Sequence, residues 1–467
     1  MRLGTLWHGR RWLRQTLVIT LVAALAVVSL PARALAQDGA TWVGTWATAP
    51  VVLPPPRDGA PEAPRGLGPE PVRIQDQTVR QIVHTSIGGS AVRVAVSNFF
   101  GTQPLEVGAA HVALRVDGAT IDTGAAGSLR FDGQPAVTVE AGAMVVSDPI
   151  ELGVSALADL AIDLYLTGDS SADAAGATYH AAGLTTSYLS TTGNHTGVAE
   201  LPVDQTFPSW FYLSRVDVLA PEGTPGIVTL GDSITDGTAS TPDTNSRWPD
   251  FLARRLVARR GNTPPAVMNV GIAGNRVLSH NAGLAMLFRD ADAPPPPPPN
   301  PNALFGPSAQ SRFDREVLQQ PGVTHVIVLE SINDIGMAFE SASPTVEELI
   351  AGHTSLVERA HARGLKIYGG TLTPFEGAFY FRDVGETKRQ AFNEWMRTAG
   401  VYDAVIDFDA AVRDPDQPSK FRDTPPWGVP SSGYRIAPAS ITPACSHFPI
   451  ARRITPSRTL WSRKLRR

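Results

Sequence analysis

Two different patterns of apolar and polar residues follow each other along the 467-residue chain. From Thr41 to about Leu219, short apolar runs are separated by Gly, Asp, Asn and Pro, and residues 92–97, 111–116 and 161–166 alternate with a period of two. Runs of this kind, without helical periodicity between them, predict strands. We therefore expect this part of the chain to form a β-sandwich-like domain.

The pattern changes at Gly226, where short apolar runs begin to alternate with amphipathic stretches. The runs at residues 227–230, 266–270, 323–329, 365–368 and 404–408 predict strands, and the stretches at 248–259, 346–363 and 386–398 predict helices. Strands that alternate with helices predict parallel βαβ units and therefore an open α/β sheet. Ligands of such sheets bind at the carboxyl ends of the strands, so catalytic residues are sought directly after each strand.

Two tryptophans, Trp42 and Trp46, open the strand-rich region. They could lie on a sugar-binding face or pack in the core near the junction of the two regions. Aromatic side chains are mostly buried, so we expect core packing.

Composition excludes several classes of protein. Hydrophobic residues make up 43% of the chain and charged residues 18%, as in globular proteins. The net charge of −4 indicates no nucleic-acid partner. Cys445 is the only cysteine, so neither an internal disulfide nor a cysteine-based zinc site is expected.

The first 36 residues have the pattern of an export signal. Three arginines among residues 10–14 precede an apolar stretch at residues 17–30, and a small-x-small tripeptide ends at Ala36. We expect cleavage before Gln37 and a secreted or periplasmic protein. An apolar stretch of this length is shorter than the ~20 residues that span a bilayer, so no stable membrane anchor is expected after cleavage. The arginine pair at residues 10–11 also resembles a twin-arginine signal, which leaves the export route open.

The candidate nucleophile is Ser233, which follows the predicted strand at residues 227–230 in a Gly-Asp-Ser turn. A serine between a strand and a helix presents its hydroxyl above the sheet edge, where N–H groups stabilise an oxyanion. Serine also caps helices, so this turn alone does not decide between the two interpretations.

Three blocks together resemble the SGNH (GDSL-type) hydrolase family. They are Gly-Asp-Ser-Ile-Thr-Asp-Gly at 231–237, Asn-Val-Gly-Ile-Ala-Gly-Asn at 269–275 and Leu-Glu-Ser-Ile-Asn-Asp-Ile-Gly at 329–336. All three lie where predicted strands end, in the order of the family. The resemblance extends over about residues 226–414. It implies a three-layer, flavodoxin-like parallel sheet and the hydrolysis of carboxylic esters without a cofactor or metal. The strand-rich first half and Arg-Trp-Pro-Asp at 247–250 also resemble a subgroup related to bacterial acetylxylan esterases.

The resemblance assigns a role to one residue of each block. Ser233 is the nucleophile, and its N–H, the N–H of Gly274 and the side-chain amide of Asn333 form the oxyanion hole. Structural alternatives stay open, because Gly274 fits a plain turn and Asn333 a strand-end cap. Ser331 stands where the third block usually has glycine, and its side chain could narrow the pocket.

The fifth block of the family, Asp-x-x-His, supplies the general base and its orienting carboxylate, and it is missing after Asp414. His447 is the only histidine beyond His361 and has no aspartate three residues before it. Asp416 and Asp423 are conceivable partners that match no motif. The Pro- and Arg-rich tail at the end of the chain is expected to result from a shifted reading frame or a replaced terminus.

The other histidines receive no catalytic role. His280 follows the second block and could line the pocket, whereas His325 lies in a predicted strand and is expected to pack. The four histidines of the first half are expected to be packing or surface residues: His84, His111, His180 and His195.

These patterns predict four segments: an export signal at residues 1–36, a β-rich accessory domain at 37–220, an SGNH hydrolase domain at 221–415 and an atypical tail at 416–467. The expected function is a serine esterase that removes acyl groups, most plausibly acetyl, from a carbohydrate. The substrate is then a small-molecule or polysaccharide ester. Two alternatives stay open: a lysophospholipase or arylesterase, and a catalytically impaired binding protein that lacks the base.

Overall fold

The structure is a computed structural model that describes residues 39–53, 72–169, 176–181, 183–259, 263–281, 305–337 and 343–422. The predicted export signal, the proline run at residues 294–299 and His447, the only histidine beyond His361, lie outside the described residues. None of the helices described is long and apolar enough to cross a membrane.

The first half is an antiparallel β-rich region, as its period-two pattern predicts. Its strands are β1 (Ala40–Ala47), β2 (Val51–Leu53), β3 (Gln75–His84), β4 (Val92–Ser97), β5 (Leu105–Asp117), β6 (Thr120–Leu129), β7 (Val137–Val139), β8 (Met144–Val146), β9 (Asp159–Asp169), β10 (Ala177–His180), β11 (Ser187–Thr192), β12 (Val203–Phe207), β13 (Trp210–Phe211) and β14 (Leu213–Pro221). They form three sheets with the orders β1-β14-β4-β8, β13-β10-β2 and β12-β11-β3-β9-β5-β6, and β7 pairs with β5.

The second half is an α/β region around one parallel sheet. Its strands are β15 (Gly226–Gly231), β16 (Ala266–Gly271), β17 (Val323–Leu329), β18 (Lys366–Gly370) and β19 (Ala404–Ile406). Its helices are α1 (Ser233–Asp236), α2 (Trp248–Ala258), α3 (Ala309–Phe313), α4 (Ile332–Gly336), α5 (Val346–Ala362), α6 (Asp383–Thr398) and α7 (Phe408–Val412), and a π-helical turn at Asp314–Leu318 follows α3.

The parallel sheet has the order β16-β15-β17-β18-β19, with all neighbours parallel. Numbered along the chain this is 2-1-3-4-5, the flavodoxin-like order that the resemblance implies, so the predicted fold class is confirmed. Gly231 at the end of β15 pairs with Gly271 on one side and Leu329 on the other. The three sequence blocks therefore leave the sheet side by side.

Local sequence explains where the long helices begin. Thr345 caps α5 by accepting a hydrogen bond from the N–H of Glu348, whose carboxylate accepts one from the Thr345 N–H. This reciprocal capping box satisfies two N–H groups that a helix end leaves free. At α2 the carboxylate of Asp250 accepts a hydrogen bond from the Arg247 N–H at 2.9 Å, and Pro249 lies in the first turn. The Arg-Trp-Pro-Asp segment therefore has a structural role at the start of α2.

One hydrophobic core extends through both regions. Buried residues of β1 and β14 belong to the same cluster as those of β15, β16 and β17. β1 packs so closely on β16 that a Cβ at Gly44 would lie 2.4 Å from the sulfur of Met268. Trp46 is buried and meets Trp210 edge-on at 4.9 Å, so the prediction of core packing is confirmed for Trp46. The described residues from Thr41 to Arg422 form one compact unit, and the division at residue 220 stays a prediction.

Candidate active site

Ser233 lies at the carboxyl end of β15, where the strand passes directly into α1. This helix is a single turn, because Gly237 ends it in the left-handed conformation (φ +93°). The helix that follows the serine is therefore too short for its dipole to stabilise an oxyanion appreciably. Individual backbone N–H groups are the hydrogen-bond donors at this turn. Gly231 must be glycine, since a Cβ there would lie 2.1 Å from the hydroxyl oxygen of Thr235.

The hydroxyl of Ser233 makes no hydrogen bond to any described residue, and its backbone N–H makes none either. The helix cap is supplied instead by Asp232, whose Oδ1 accepts a hydrogen bond from the Ile234 N–H at 2.9 Å. Ser233 is half-buried. Capping is therefore the role of Asp232, and both polar groups of the serine are available to a ligand.

Gly274 lies in a tight turn after β16, with φ +77°. A Cβ at this position would lie 2.5 Å from a ring carbon of Phe305, so backbone conformation and space both require glycine. Its carbonyl accepts a hydrogen bond from the side chain of Asn281 at 2.6 Å, while its N–H meets no acceptor among the described residues. Gly274 therefore does occupy a turn, as the structural alternative held, and its backbone N–H remains without an acceptor among the described residues.

The third block is fastened to the second by side chains of α4. Asn333 is 2% exposed, and its Nδ2 donates to the Asn275 carbonyl at 3.0 Å. The carboxylate of Asp334 accepts hydrogen bonds from the N–H groups of Val277 at 2.9 Å and Leu278 at 3.1 Å. Asn333 is therefore more than a strand-end cap, because it bonds across to the neighbouring block.

The first block is fastened to the second by Asp236. Its Oδ2 accepts a hydrogen bond from the Ala273 N–H at 3.0 Å, next to Gly274 in the chain. Its Oδ1 lies 3.1 Å from Nε2 of His180, a residue of the β-rich region. The structure thus joins the segments of Ser233, Gly274 and Asn333 at one edge of the sheet.

Ser331 adopts a conformation that suits the glycine usually found at this place. Its φ is +111°, and its Oγ lies 2.8 Å from Nε2 of His353 in α5. The other ring nitrogen of His353 lies 2.5 Å from the hydroxyl of Tyr402. Both ring contacts are buried, and burial lowers the pKa of His353 to about 3. The hydroxyl of Ser331 is therefore used in a buried contact with α5.

Three buried carboxyl groups surround the strand ends. Burial raises the pKa of Asp232 to about 7 and that of Asp334 to about 6, and the neighbouring carboxyl groups add to the shift of Asp232. Burial, followed by the charge of Asp232, raises the pKa of Glu330 well above its usual range. Clusters of perturbed carboxyl groups are typical of functional sites.

Arg312 of α3 is a buried cation beside these carboxyl groups, and it forms an ion pair with Glu316 at 2.7 Å. It is fully buried and donates to the carbonyls of Val270 at 2.6 Å and Gly231 at 3.2 Å, and to Oδ1 of Asn275 at 3.0 Å. Glu330 lies 3.8 Å from it. Sequence reasoning missed Arg312, because nothing in its neighbourhood distinguishes it from other arginines. A role at the site could have been predicted for Asp236 and Asp334, because both belong to the recognised sequence blocks.

No described histidine forms a hydrogen bond with Ser233. His280 is exposed and accepts a hydrogen bond from the Ser308 N–H at 3.0 Å, and His325 packs against the ring of Tyr368, as predicted. His84 bonds to Asp159 and His195 contacts the Thr192 carbonyl, both within the β-rich region, whereas Nδ1 of His111 has no partner among the described residues. His180 bonds to Asp236 of the first block. Packing was expected for His180, which is indeed buried, but its contact with the first block was not foreseen.

His447 as a possible base, and Asp416 and Asp423 as its conceivable partners, stay untested. His447 and Asp423 lie outside the described residues, and Asp416 is exposed, with its N–H bonded to the carboxylate of Asp414 at 2.8 Å. Within the described part of the chain, no three His, Cys, Asp or Glu side chains converge as metal ligands would. Asp232 and Asp236, the pair that could suggest a metal, bind backbone N–H groups.

Comparison with known proteins matches residues 229–426 to the GDSL-like Lipase/Acylhydrolase family. The matched segment contains all three blocks and ends before His447. Comparison with curated proteins finds no match.

Among solved structures, a protein assigned to the lipolytic G-D-S-L family from Desulfitobacterium hafniense is 17% identical, over 47% of this chain and 98% of its own, with a TM-score of 0.29. The acetylxylan esterase Axe2 from Geobacillus stearothermophilus is 19% identical, over 40% and 77%, with a TM-score of 0.28. A lipase/acylhydrolase from Enterococcus faecalis is 17% identical, over 39% and 75%, with a TM-score of 0.28.

Proposed function

Residues 229–426 form a GDSL-like lipase/acylhydrolase domain, that of a carboxylic ester hydrolase, and on that premise we propose that the protein removes acetyl groups from carbohydrates through an acyl-enzyme on Ser233. The observation that carries the proposal is the hydroxyl of Ser233 at the carboxyl end of β15, one strand away from the N–H of Gly274, both without a hydrogen-bond partner among the described residues. A nucleophile and a donor for the developing charge are the minimum that acyl transfer needs.

In the proposed reaction, Oγ of Ser233 attacks the ester carbonyl and its proton passes to a base. The carbonyl electrons move onto the oxygen, which accepts hydrogen bonds from the N–H groups of Ser233 and Gly274 and from the amide of Asn333. The tetrahedral intermediate expels the alcohol, and water then releases the acid by the reverse sequence. Loss of one oxyanion donor costs about 3 kcal/mol of transition-state stabilisation, so Asn333→Ala should lower kcat about 10²–10³-fold.

The base is the one component that the described residues do not supply, and His447 is the candidate for it in the remaining chain. This gap favours a second candidate function, a binding protein with impaired catalysis. Without a base, the oxyanion donors and substrate binding still accelerate hydrolysis by about 10³–10⁴-fold over water.

The choice of an acetyl group on a carbohydrate rests on the resemblance of the strand-rich first half and of residues 247–250 to the acetylxylan-esterase-related subgroup. The three blocks specify the chemistry rather than the acyl group. A lysophospholipase or arylesterase therefore competes with the carbohydrate esterase as the natural function.

Hydrolysis of three esters tests the proposal: p-nitrophenyl acetate, p-nitrophenyl palmitate and acetylated xylan. We expect release of acetate from xylan, faster turnover of the acetate than of the palmitate ester, and complete loss in Ser233→Ala. Ser128→Ala, in an exposed position of β6, serves as the matched control and should keep full activity.

Equal rates for wild type and Ser233→Ala on every ester would rule out the enzyme and leave the binding protein. Preference for the palmitate ester would replace the carbohydrate substrate by a lipid.

We also propose that residues 1–36 direct export and are removed. The N-terminus of the mature protein, determined by sequencing after expression in a bacterial host, should be Gln37 in the culture medium or the periplasm. Recovery of the uncleaved chain from the cytoplasm would contradict this proposal.

A further inference from the structure

One side chain of the β-rich region forms a hydrogen bond with the catalytic segment. His180 ends β10, is 3% exposed, and lies between two oxygen atoms. Its Nδ1 is 2.8 Å from the carbonyl of Ala49, and its Nε2 is 3.1 Å from Oδ1 of Asp236. Ala49 follows β1, so this contact joins two segments of the β-rich region to the Gly-Asp-Ser block.

The position of the ring requires a proton between His180 and Asp236. A carbonyl oxygen only accepts hydrogen bonds, so Nδ1 of His180 must carry a hydrogen. Nε2 then faces a carboxylate, and two acceptors do not bond to each other. Either the ring is an imidazolium or Asp236 carries the proton, and in both cases the contact is a charge-assisted or shared-proton hydrogen bond in a buried place.

The surroundings hold the ring of His180 in one orientation. Trp210 packs against it with ring centroids 5.5 Å apart, and Nε1 of Trp210 donates to the Ile82 carbonyl at 2.9 Å. On the other side, Asp236 uses its second oxygen to accept the Ala273 N–H at 3.0 Å. A continuous path of hydrogen bonds therefore leads from Ala49 to the peptide next to Gly274.

We propose that His180 is a positioning residue through which the β-rich region holds the Ala273–Gly274 turn in place. The carboxylate of Asp236 has two oxygens, and the bond to His180 determines the rotation of the group and thus where the other oxygen meets Ala273. The β-rich region is then a structural part of the active site rather than only an accessory for binding substrate. The consequence for catalysis rests on the proposed function of Gly274 as an oxyanion donor, whereas the structural link does not.

Hydrogen–deuterium exchange, resolved to the Ala273 amide, tests the link without any need for activity. His180→Phe keeps a ring against Trp210 but removes both hydrogen bonds. We expect the Ala273 amide to exchange about tenfold faster in this variant, as the loss of one buried hydrogen bond predicts. His195→Gln, in a half-buried loop of the same region, is the matched control and should exchange as wild type does. Unchanged exchange at Ala273 in His180→Phe would overturn the proposal.

A pair of substitutions at Asp236 separates positioning from general stability. Asn at this place can accept the Ala273 N–H with its oxygen and donate its amide to Nε2 of a neutral His180, so Asp236→Asn should keep the exchange of Ala273 within twofold of wild type. Asp236→Ala removes both contacts and should raise it about tenfold. Equal exchange in the two variants would contradict the proposal, and this pair also decides the question if His180→Phe fails to fold.

Kinetics with p-nitrophenyl acetate then tests the consequence for catalysis. An oxyanion donor acts in the transition state, so His180→Phe should lower kcat about tenfold with KM unchanged. Asp236→Asn keeps both contacts and should leave kcat within about twofold of wild type. A wild type that does not hydrolyse the ester refutes the proposed function and leaves the exchange result to decide the link. Faster exchange with unchanged kcat would confine His180 to a structural role and overturn its effect on the site.

Discussion

The buried ion pair of Arg80 in the β-rich region and the buried carboxyl groups at the strand ends of the α/β region differ in how completely they are paired. In the β-rich region, fully buried Arg80 forms two hydrogen bonds with Asp163 at 2.7 and 2.8 Å. Three carbonyl oxygens accept its other hydrogens at 2.5, 2.9 and 3.5 Å. In the α/β region, fully buried Glu330 has no hydrogen-bond partner among the described residues for either oxygen, and Arg312 lies 3.8 Å away. One pair is complete, and the other group is left partly uncompensated.

This difference follows from how strands are connected. Parallel strands bring all their carboxyl ends to one edge, so the residues that follow β15, β16 and β17 collect there. Antiparallel neighbours point in alternate directions, and no edge gathers successive loops in the same way. A complete buried ion pair stabilises the fold. Incompletely paired carboxyl groups with raised pKa values are instead typical of a functional site.

The largest effect is expected when the ion pair between Arg80 and Asp163 is broken. Arg80→Met removes the guanidinium and leaves Asp163 buried without a counter-charge, so the free energy of unfolding should fall by about 3–5 kcal/mol. Urea unfolding measures this loss. Arg73→Met is the control, because Arg73 is largely exposed in its pair with Asp169 and should leave the unfolding midpoint unchanged. If Arg80→Met lowered the free energy of unfolding as little as Arg73→Met, the buried Arg80–Asp163 pair would not stabilise the fold as proposed.

The second prediction concerns Asp232, a neighbour of Glu330 among the buried carboxyl groups at the strand ends. The pKa of Asp232 is raised to about 7 in the folded protein from an ordinary value of 3.8, so the folded state binds the proton more tightly than the unfolded state does. Its contribution to stability is complete below pH of about 4 and is lost as the pH rises toward about 7, with a slope of up to about 1.4 kcal/mol per pH unit. Asp232→Asn keeps an oxygen for the Ile234 N–H and removes the titration.

Urea unfolding between pH of about 4 and about 8 checks this expectation. The variant should lose less stability with rising pH than wild type, while Glu330 and Asp334 keep part of the slope because their pKa values are raised as well. Identical slopes in the two proteins would show that titration of Asp232 does not contribute to the pH dependence of stability.

The smallest effect is expected at Ser331 in the third block. Ser331 combines an unfavourable backbone conformation, φ +111°, with a buried hydrogen bond to His353. Ser331→Ala loses the bond and keeps the strain, so the free energy of unfolding should fall by about 1–3 kcal/mol. Ser331→Gly loses the bond and relieves the strain, so it should be about 1 kcal/mol more stable than Ser331→Ala. Thermal unfolding of the two variants measures the difference, and equal values would show that the left-handed conformation carries no cost.

The sequence by itself determined the class of the fold and the three blocks. The apolar runs predict all five strands of the parallel sheet, with ends that differ from the structure by at most two residues. This was possible because strand and helix periodicities are local properties, and because short motifs such as 231–237 carry their own geometry. Ser233, Gly274 and Asn333 were accessible for the same reason, although their catalytic roles stay predictions.

Only the tertiary structure decided which distant residues meet these blocks. Arg312, His353 and His180 reach the strand ends from segments far away in the chain, and no local pattern distinguishes them from packing or surface residues. Burial and the direction of a side chain depend on how sheets and helices pack, and a sequence read in short windows does not contain that information. The role of His180 in particular appears only when β10 is packed against the block that begins with Gly231.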